Sequence, residues 1–113
     1  MLWLWIGNAI VFTIVYLYLN TIPGQGVIEP LQPGPLVLHW YDALYFSVIT
    51  GTTLGYGDII PIGASRFFAA FQSVISFMLL ALTVSKIASA KSEKILRDIH
   101  VLSKEVKELL EKK

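Results

Sequence analysis

Residues 52–58 read Thr52-Thr53-Leu54-Gly55-Tyr56-Gly57-Asp58. Two hydroxyls, two glycines one residue apart, an aromatic between them and a carboxylate after them suit a narrow pore better than a soluble turn. Glycine at alternate positions reaches φ > 0 where other residues rarely go. Successive carbonyls can then point the same way, which an ordinary strand does not allow. Four copies around an axis would stack rings of carbonyl oxygens, and such rings can replace the water shell of a dehydrated cation. Little else in the chain offers chemistry. There are no cysteines and two histidines, so disulfides and thiolate metal sites are excluded. No paired carboxylates occur in a cleft-like setting, and no enzyme activity is expected.

Backbone of this irregular kind is tolerated at membrane depth only inside protein or along a water-filled path. The flanking sequence supplies that setting. Trp40 to Thr52 precedes it, with Tyr41, Leu44, Tyr45 and Val48 at helical spacings. Asp42 falls in the first turn, where a carboxylate complements the helix dipole. Such a helix reaches roughly 20 Å, too short to cross a bilayer. It is expected to dip in and stop, presenting its partially negative C-terminal end to a cation.

Two apolar runs bracket this re-entrant segment. Leu2 to Leu19 spans roughly 27 Å as a helix, close to bilayer thickness. Trp3 and Trp5 at one end, and Tyr16 and Tyr18 at the other, suggest aromatic belts. A signal peptide is the alternative, but no basic residue precedes the run and no small-residue cleavage site follows it. The run starts almost at Met1, which leaves room for a segment once preceding it. Asn20 to His39 holds Pro23, Pro30, Pro33 and Pro35 with three glycines, and reads as a loop. His39 is expected to be a solvated loop histidine, with proton sensing as the alternative. Beyond Pro61, Ser65 is expected to cap a second apolar run from Arg66 to Ser85. Arg66 reads as an interfacial anchor.

The whole 113-residue chain is 55% hydrophobic with mean hydropathy +0.65, too apolar for so small a soluble domain. The net charge of +1 says little; its distribution says more. None of the nine Lys and Arg lies in the first 65 residues, and eight follow the second run. The positive-inside rule then places both termini in the cytoplasm and residues 20–65 outside. No Arg-rich helix is present to carry gating charge.

Lys91 to Lys113 is charged and contains no Gly or Pro. Ile95, Ile99, Leu102, Val106 and Leu109 are spaced 4, 3, 4, 3, a heptad seam. The same register runs back through Ser92, Ala88, Ser85 and Ala81, so the seam could continue the inner face of the second run. Leu96 and Leu110 widen the stripe beyond a strict two-position seam, which suits more than two strands. An amphipathic helix against other protein or the membrane surface is the alternative, and the seam alone does not fix strand number.

Together these pieces resemble the pore domain of a tetrameric potassium channel over residues 2 to about 90, with Thr53-Leu54-Gly55-Tyr56-Gly57-Asp58 as the specific signal. The resemblance implies an all-α membrane protein and a homotetramer of three further copies around each chain. Its elements would be an outer helix 2–19, a turret 20–39, a re-entrant pore helix 40–52, a filter 53–58 and an inner helix 65–90. A cytoplasmic helix 91–113, in a coiled coil, would follow. It implies K⁺ sites at the carbonyls of Thr53, Leu54, Gly55 and Tyr56, with the Thr53 hydroxyl at the innermost and Gly57 completing the filter. Asp58, Tyr45 and Thr52 would support it. Phe77, Leu80, Ala81, Val84 and Ala88 would line the inner cavity and its mouth, with packing against lipid or helix as the alternative for each. The expected partners are the bilayer and K⁺ as permeant ion, with no cofactor and no nucleic acid, in the cell membrane.

The departures are informative. Leu54 replaces the usual valine, with its side chain away from the pore. Ile49 stands where some bacterial members carry a glutamate paired with the filter aspartate, so Asp58 needs another partner, and Tyr45 is the candidate donor. Ile60 stands where an aromatic favours external tetraethylammonium block. Residues 67 to 113 contain no glycine, so a sharp bend in the inner helix is not expected. Two further readings stand beside the channel: a pore module of a larger gated cation channel, and a membrane-anchored coiled-coil scaffold, which leaves the filter unexplained. The Gly-Tyr-Gly run argues against a non-selective pore.

Overall fold

The computed structural model describes residues 1–32 and 37–113. Pro33, Gly34 and Pro35 of the expected loop lie outside the described residues. Three helices dominate: α1 (Leu2–Asn20), α2 (Trp40–Gly51) and α3 (Ala64–Glu111). Two short strands, β1 (Val27–Ile28) and β2 (Ile60–Pro61), pair antiparallel with Val27 opposite Pro61 and Ile28 opposite Ile60. The chain comprises two compact units, Met1–Leu80 and Ala81–Lys113.

α1 and the N-terminal apolar part of α3 are each long and apolar enough to cross a membrane. α1 buries Ala9, Phe12, Thr13, Tyr16 and Leu19, one face at helical spacing. The Thr13 hydroxyl donates to the Ala9 carbonyl at 2.8 Å, so it needs no outside partner. The helix ends where the Thr21 amide and hydroxyl both donate to the Tyr18 carbonyl, with Pro23 just beyond.

The first unit's core is Phe12, Tyr16, Val27, Ala43, Phe46, Ile49 and Ala69. Tyr16 meets Phe46 edge-on, ring centroids 4.8 Å apart. This corrects the expectation of Tyr16 as a belt residue: it is fully buried, because it falls on the face at 9, 12, 13, 16 and 19 that packs inward. Tyr18, two residues on, is 67% exposed.

α2 starts where Asp42 Oδ2 accepts the His39 amide at 3.2 Å. Its buried residues are Ala43, Phe46, Ser47, Ile49 and Gly51. The stripe that announced the helix, Tyr41, Leu44, Tyr45 and Val48, is not its own chain's core; Tyr41 and Tyr45 are exposed. α1 and α3 take the smaller-residue face instead.

The loop after α1 is more ordered than its prolines suggest. The Gly26 carbonyl accepts the Ile62 amide at 2.9 Å beside the paired strands. Ser65 does not cap α3. Its amide and hydroxyl both donate to the Gln25 carbonyl, and the Gln25 side chain accepts the Ala64 amide at 2.6 Å. The cap comes from the loop, because the turn at Gly63, φ 51, brings the helix start against Gln25.

α3 buries Ser65, Ala69, Gln72 and Ser76, a small and polar stripe. In the second unit the helix is exposed throughout its charged length, including the seam Ile95, Ile99, Leu102, Val106 and Leu109.

Candidate ion filter

The chain from Thr52 to Asp58 is non-helical and hangs from α2 at both ends. At its start the Ile49 carbonyl accepts two amides, Leu54 at 3.0 Å and Gly55 at 3.3 Å. The Thr50 carbonyl accepts the Thr53 amide at 3.1 Å. Thr52 turns its hydroxyl back to the Val48 carbonyl at 2.8 Å. Carbonyls left over by the last turn of α2 thus seat the first filter residues.

At its far end, the Tyr45 hydroxyl donates to Asp58 Oδ2 at 2.7 Å, and the Ile59 amide donates to Oδ1 at 3.0 Å. Tyr45 is therefore the donor that meets Asp58 in place of the missing glutamate. The bond pushes the Tyr45 phenol above the ordinary tyrosine range, since ionising it would cost the contact and face the carboxylate. Ile49 is buried in the core.

Between these ends the backbone alternates in hand. Thr53, Gly55 and Gly57 have φ of 61, 49 and 83, and the residues between them do not share that sign. Glycine was expected to supply this; the structure extends the alternation to Thr53, a β-branched residue for which such φ is uncommon. Backbone that alternates in this way can turn successive carbonyls toward one side. Thr52 to Asp58 are all exposed on this chain, with Tyr56 at 69% and Leu54 at 61%.

Phe77, Leu80, Ala81, Val84 and Ala88 are exposed on their helix. Among the described residues no cluster of His, Cys, Asp or Glu could hold a metal ion.

Buried polar side chains that sequence reasoning passed over brace the scaffold behind the filter. Gln72 Nε2 donates to the Ser47 carbonyl at 2.9 Å and to Ser47 Oγ at 2.8 Å, while Tyr16 donates to Gln72 Oε1 at 2.7 Å. Ser47 Oγ donates to the Ala9 carbonyl, and Asn8 Nδ2 to Ser76 Oγ, both at 2.8 Å. The available signal was Asn8, Gln72 and Ser76 themselves, polar residues interrupting apolar runs, which mark helix contacts rather than lipid.

The family model described as "Ion channel" matches residues 2–93. The chain belongs to that ion-channel family, and is a membrane protein of the channel class rather than an enzyme. A Rhodopseudomonas palustris protein named as a potassium channel protein is 32% identical over 65% of this chain and 17% of its own. "Two pore potassium channel a" of Oryza sativa subsp. japonica is 33% identical over 71% and 23%, respectively. "Protein LctB" of Geobacillus stearothermophilus is 28% identical over 73% and 63%. The chain thus spans about a fifth of the first two relatives' length.

Proposed function

We propose that four copies of this chain surround an axis and conduct K⁺ through rings formed by the carbonyls of Thr53, Leu54, Gly55 and Tyr56, with the Thr53 hydroxyl at the inner end. The observation that carries this reading is the alternation of left-handed φ at Thr53, Gly55 and Gly57, in a chain of the ion-channel family. Carbonyl oxygens so aligned can substitute for water around a dehydrated cation. The names of the relatives point to potassium.

Assembly is supported by surface. Phe67, Phe71, Phe77 and Met78 are all more than half exposed, as is Tyr41 on α2. Lipid can cover part of that surface. It cannot serve the exposed polar backbone of the filter, which requires protein or a water-filled path around it. The seam at Ile95 to Leu109 gives the tail a further association face. The eight basic residues after the second apolar run favour cytoplasmic termini in the cell membrane, with residues 20–65 outside. Tyr45, Asp58 and Thr52 hold the filter's ends.

Purified protein in liposomes decides the matter. Uptake of Rb⁺ against a K⁺ gradient with Na⁺ excluded, together with a tetrameric mass by light scattering, is the expected result. No uptake, or equal uptake of Na⁺, overturns the proposal. A second reading, that the chain is the pore module of a larger channel, is favoured by the small share of its first relatives that it spans; the same pore would then conduct under a sensor placed elsewhere.

A further inference from the structure

The buried amide of Gln72 sits at 0% exposure between three helices, in a part of α3 that is apolar enough to cross a membrane. A polar side chain at such depth is costly and usually has an assignment. Leucine would fill the volume without desolvating an amide. Gln72 is instead committed on both sides: Oε1 receives the Tyr16 phenol, and Nε2 grips Ser47 through its carbonyl and its hydroxyl. One turn further along α2, Gly51 packs against the same group. A Cβ there would lie 3.5 Å from Gln72 Nε2 and 3.1 Å from Ser76 Oγ. Ser47 and Gly51 bracket Ile49, whose carbonyl seats the amides of Leu54 and Gly55.

We propose that Gln72 is a positioning residue for the filter: by fixing α2 at Ser47 against α1 and α3, it sets where the Ile49 carbonyl stands and hence the aperture of the carbonyl rings. The inference rests on the filter reading above. It differs from simple packing because it requires the donor half of the amide, not only its volume. Gln72→Met keeps length and bulk but donates nothing. Gln72→Glu keeps an acceptor for Tyr16 and loses the two bonds to Ser47. Tyr16→Phe removes only the acceptor-side bond.

Two readouts on detergent-purified and liposome-reconstituted protein test it. Amide hydrogen exchange over residues 49–57, read by mass spectrometry, is expected to quicken at least about tenfold in Gln72→Met, since one lost buried hydrogen bond is worth about that much and this variant loses both bonds to Ser47 and the acceptor of Tyr16. Tyr16→Phe should quicken it less. In liposomes the ratio of Rb⁺ to Na⁺ uptake should fall in the same order, with assembled mass unchanged. If Gln72→Met, or Gln72→Glu where the first does not assemble, shows parental exchange and parental ion preference, the proposal is wrong and Gln72 only fills space. The parent's own Rb⁺ uptake reports on the filter reading separately, and the exchange measurement judges Gln72 whatever the parent conducts.

Discussion

Thr53 is held at φ 61, where a residue with a Cβ is disfavoured by about 1–2 kcal/mol. Such a position persists only where its surroundings over-determine it, and the bond from its amide to the Thr50 carbonyl is part of that. Gly55 and Gly57 share the left-handed region without the penalty. Alanine at Gly55 or Gly57 is therefore expected to disturb the alternation and abolish selective Rb⁺ uptake into liposomes, while light scattering still reports an assembled protein. Tyr45→Phe acts at the other end. It deletes the bond to Asp58 and should shorten sustained current in bilayer recordings, leaving the preference for K⁺ over Na⁺ intact. The pH dependence has a definite sign. The folded phenol titrates above the ordinary value of about 10, so the bond is fully present below that value and lost as pH rises through the raised one. Recordings across the neutral range should show no step from Tyr45, and an alkaline loss of sustained current should be missing in Tyr45→Phe. Ile60, half-buried in β2 and aliphatic, offers no ring face to a quaternary ammonium ion. External tetraethylammonium should block weakly, and Ile60→Tyr should strengthen the block.

At the scale of elements, α2 depends on close approach. Gly51→Val would drive a branched side chain into Ser76 Oγ and Gln72 Nε2, and overpacking of this kind costs about 1–3 kcal/mol. The expected outcome is a lower midpoint of thermal unfolding in detergent. Gln25→Ala should also lower that midpoint, since it strips the start of α3 of its side-chain acceptor. These elements differ in how far they could be read from residues alone. The three helices were legible because length, apolar content and Pro61 constrain them strongly. The short strands were not: two residues each, in a stretch dense with proline and glycine, carry no periodicity. The Tyr45–Asp58 bond was legible because the resemblance left Asp58 without its usual partner and made Tyr45 the candidate donor. Gln72 was passed over because one glutamine in an apolar run has no pattern, and only three packed helices give it meaning. The inward face of α2 was hidden for a related reason: the spacing of Tyr41, Leu44, Tyr45 and Val48 marks a helix without saying which face packs, and the structure buries Ala43, Phe46, Ser47 and Ile49.

For the molecule as a whole, much of the apolar surface stays exposed on the single chain, from Trp3 at 83% to Leu110 at 68%. The proposed assembly would supply two kinds of cover, lipid around the apolar helices and further copies along the filter and tail. Leu102→Asp would place a charge on the tail seam, and burying it unpaired is costly. The variant should shift the assembled mass toward smaller species at low protein concentration, an effect that light scattering across dilution would register. The candidate filter is tied to α2 near the helix's C-terminal end at Ile49 and at mid-helix at Tyr45. In the proposed pore, a tilt of that helix would widen or narrow the opening while carrying the whole segment along. The vertical spacing of its oxygens should therefore outlast changes in bore, so that throughput can be adjusted without scrambling the order in which an ion meets its ligands.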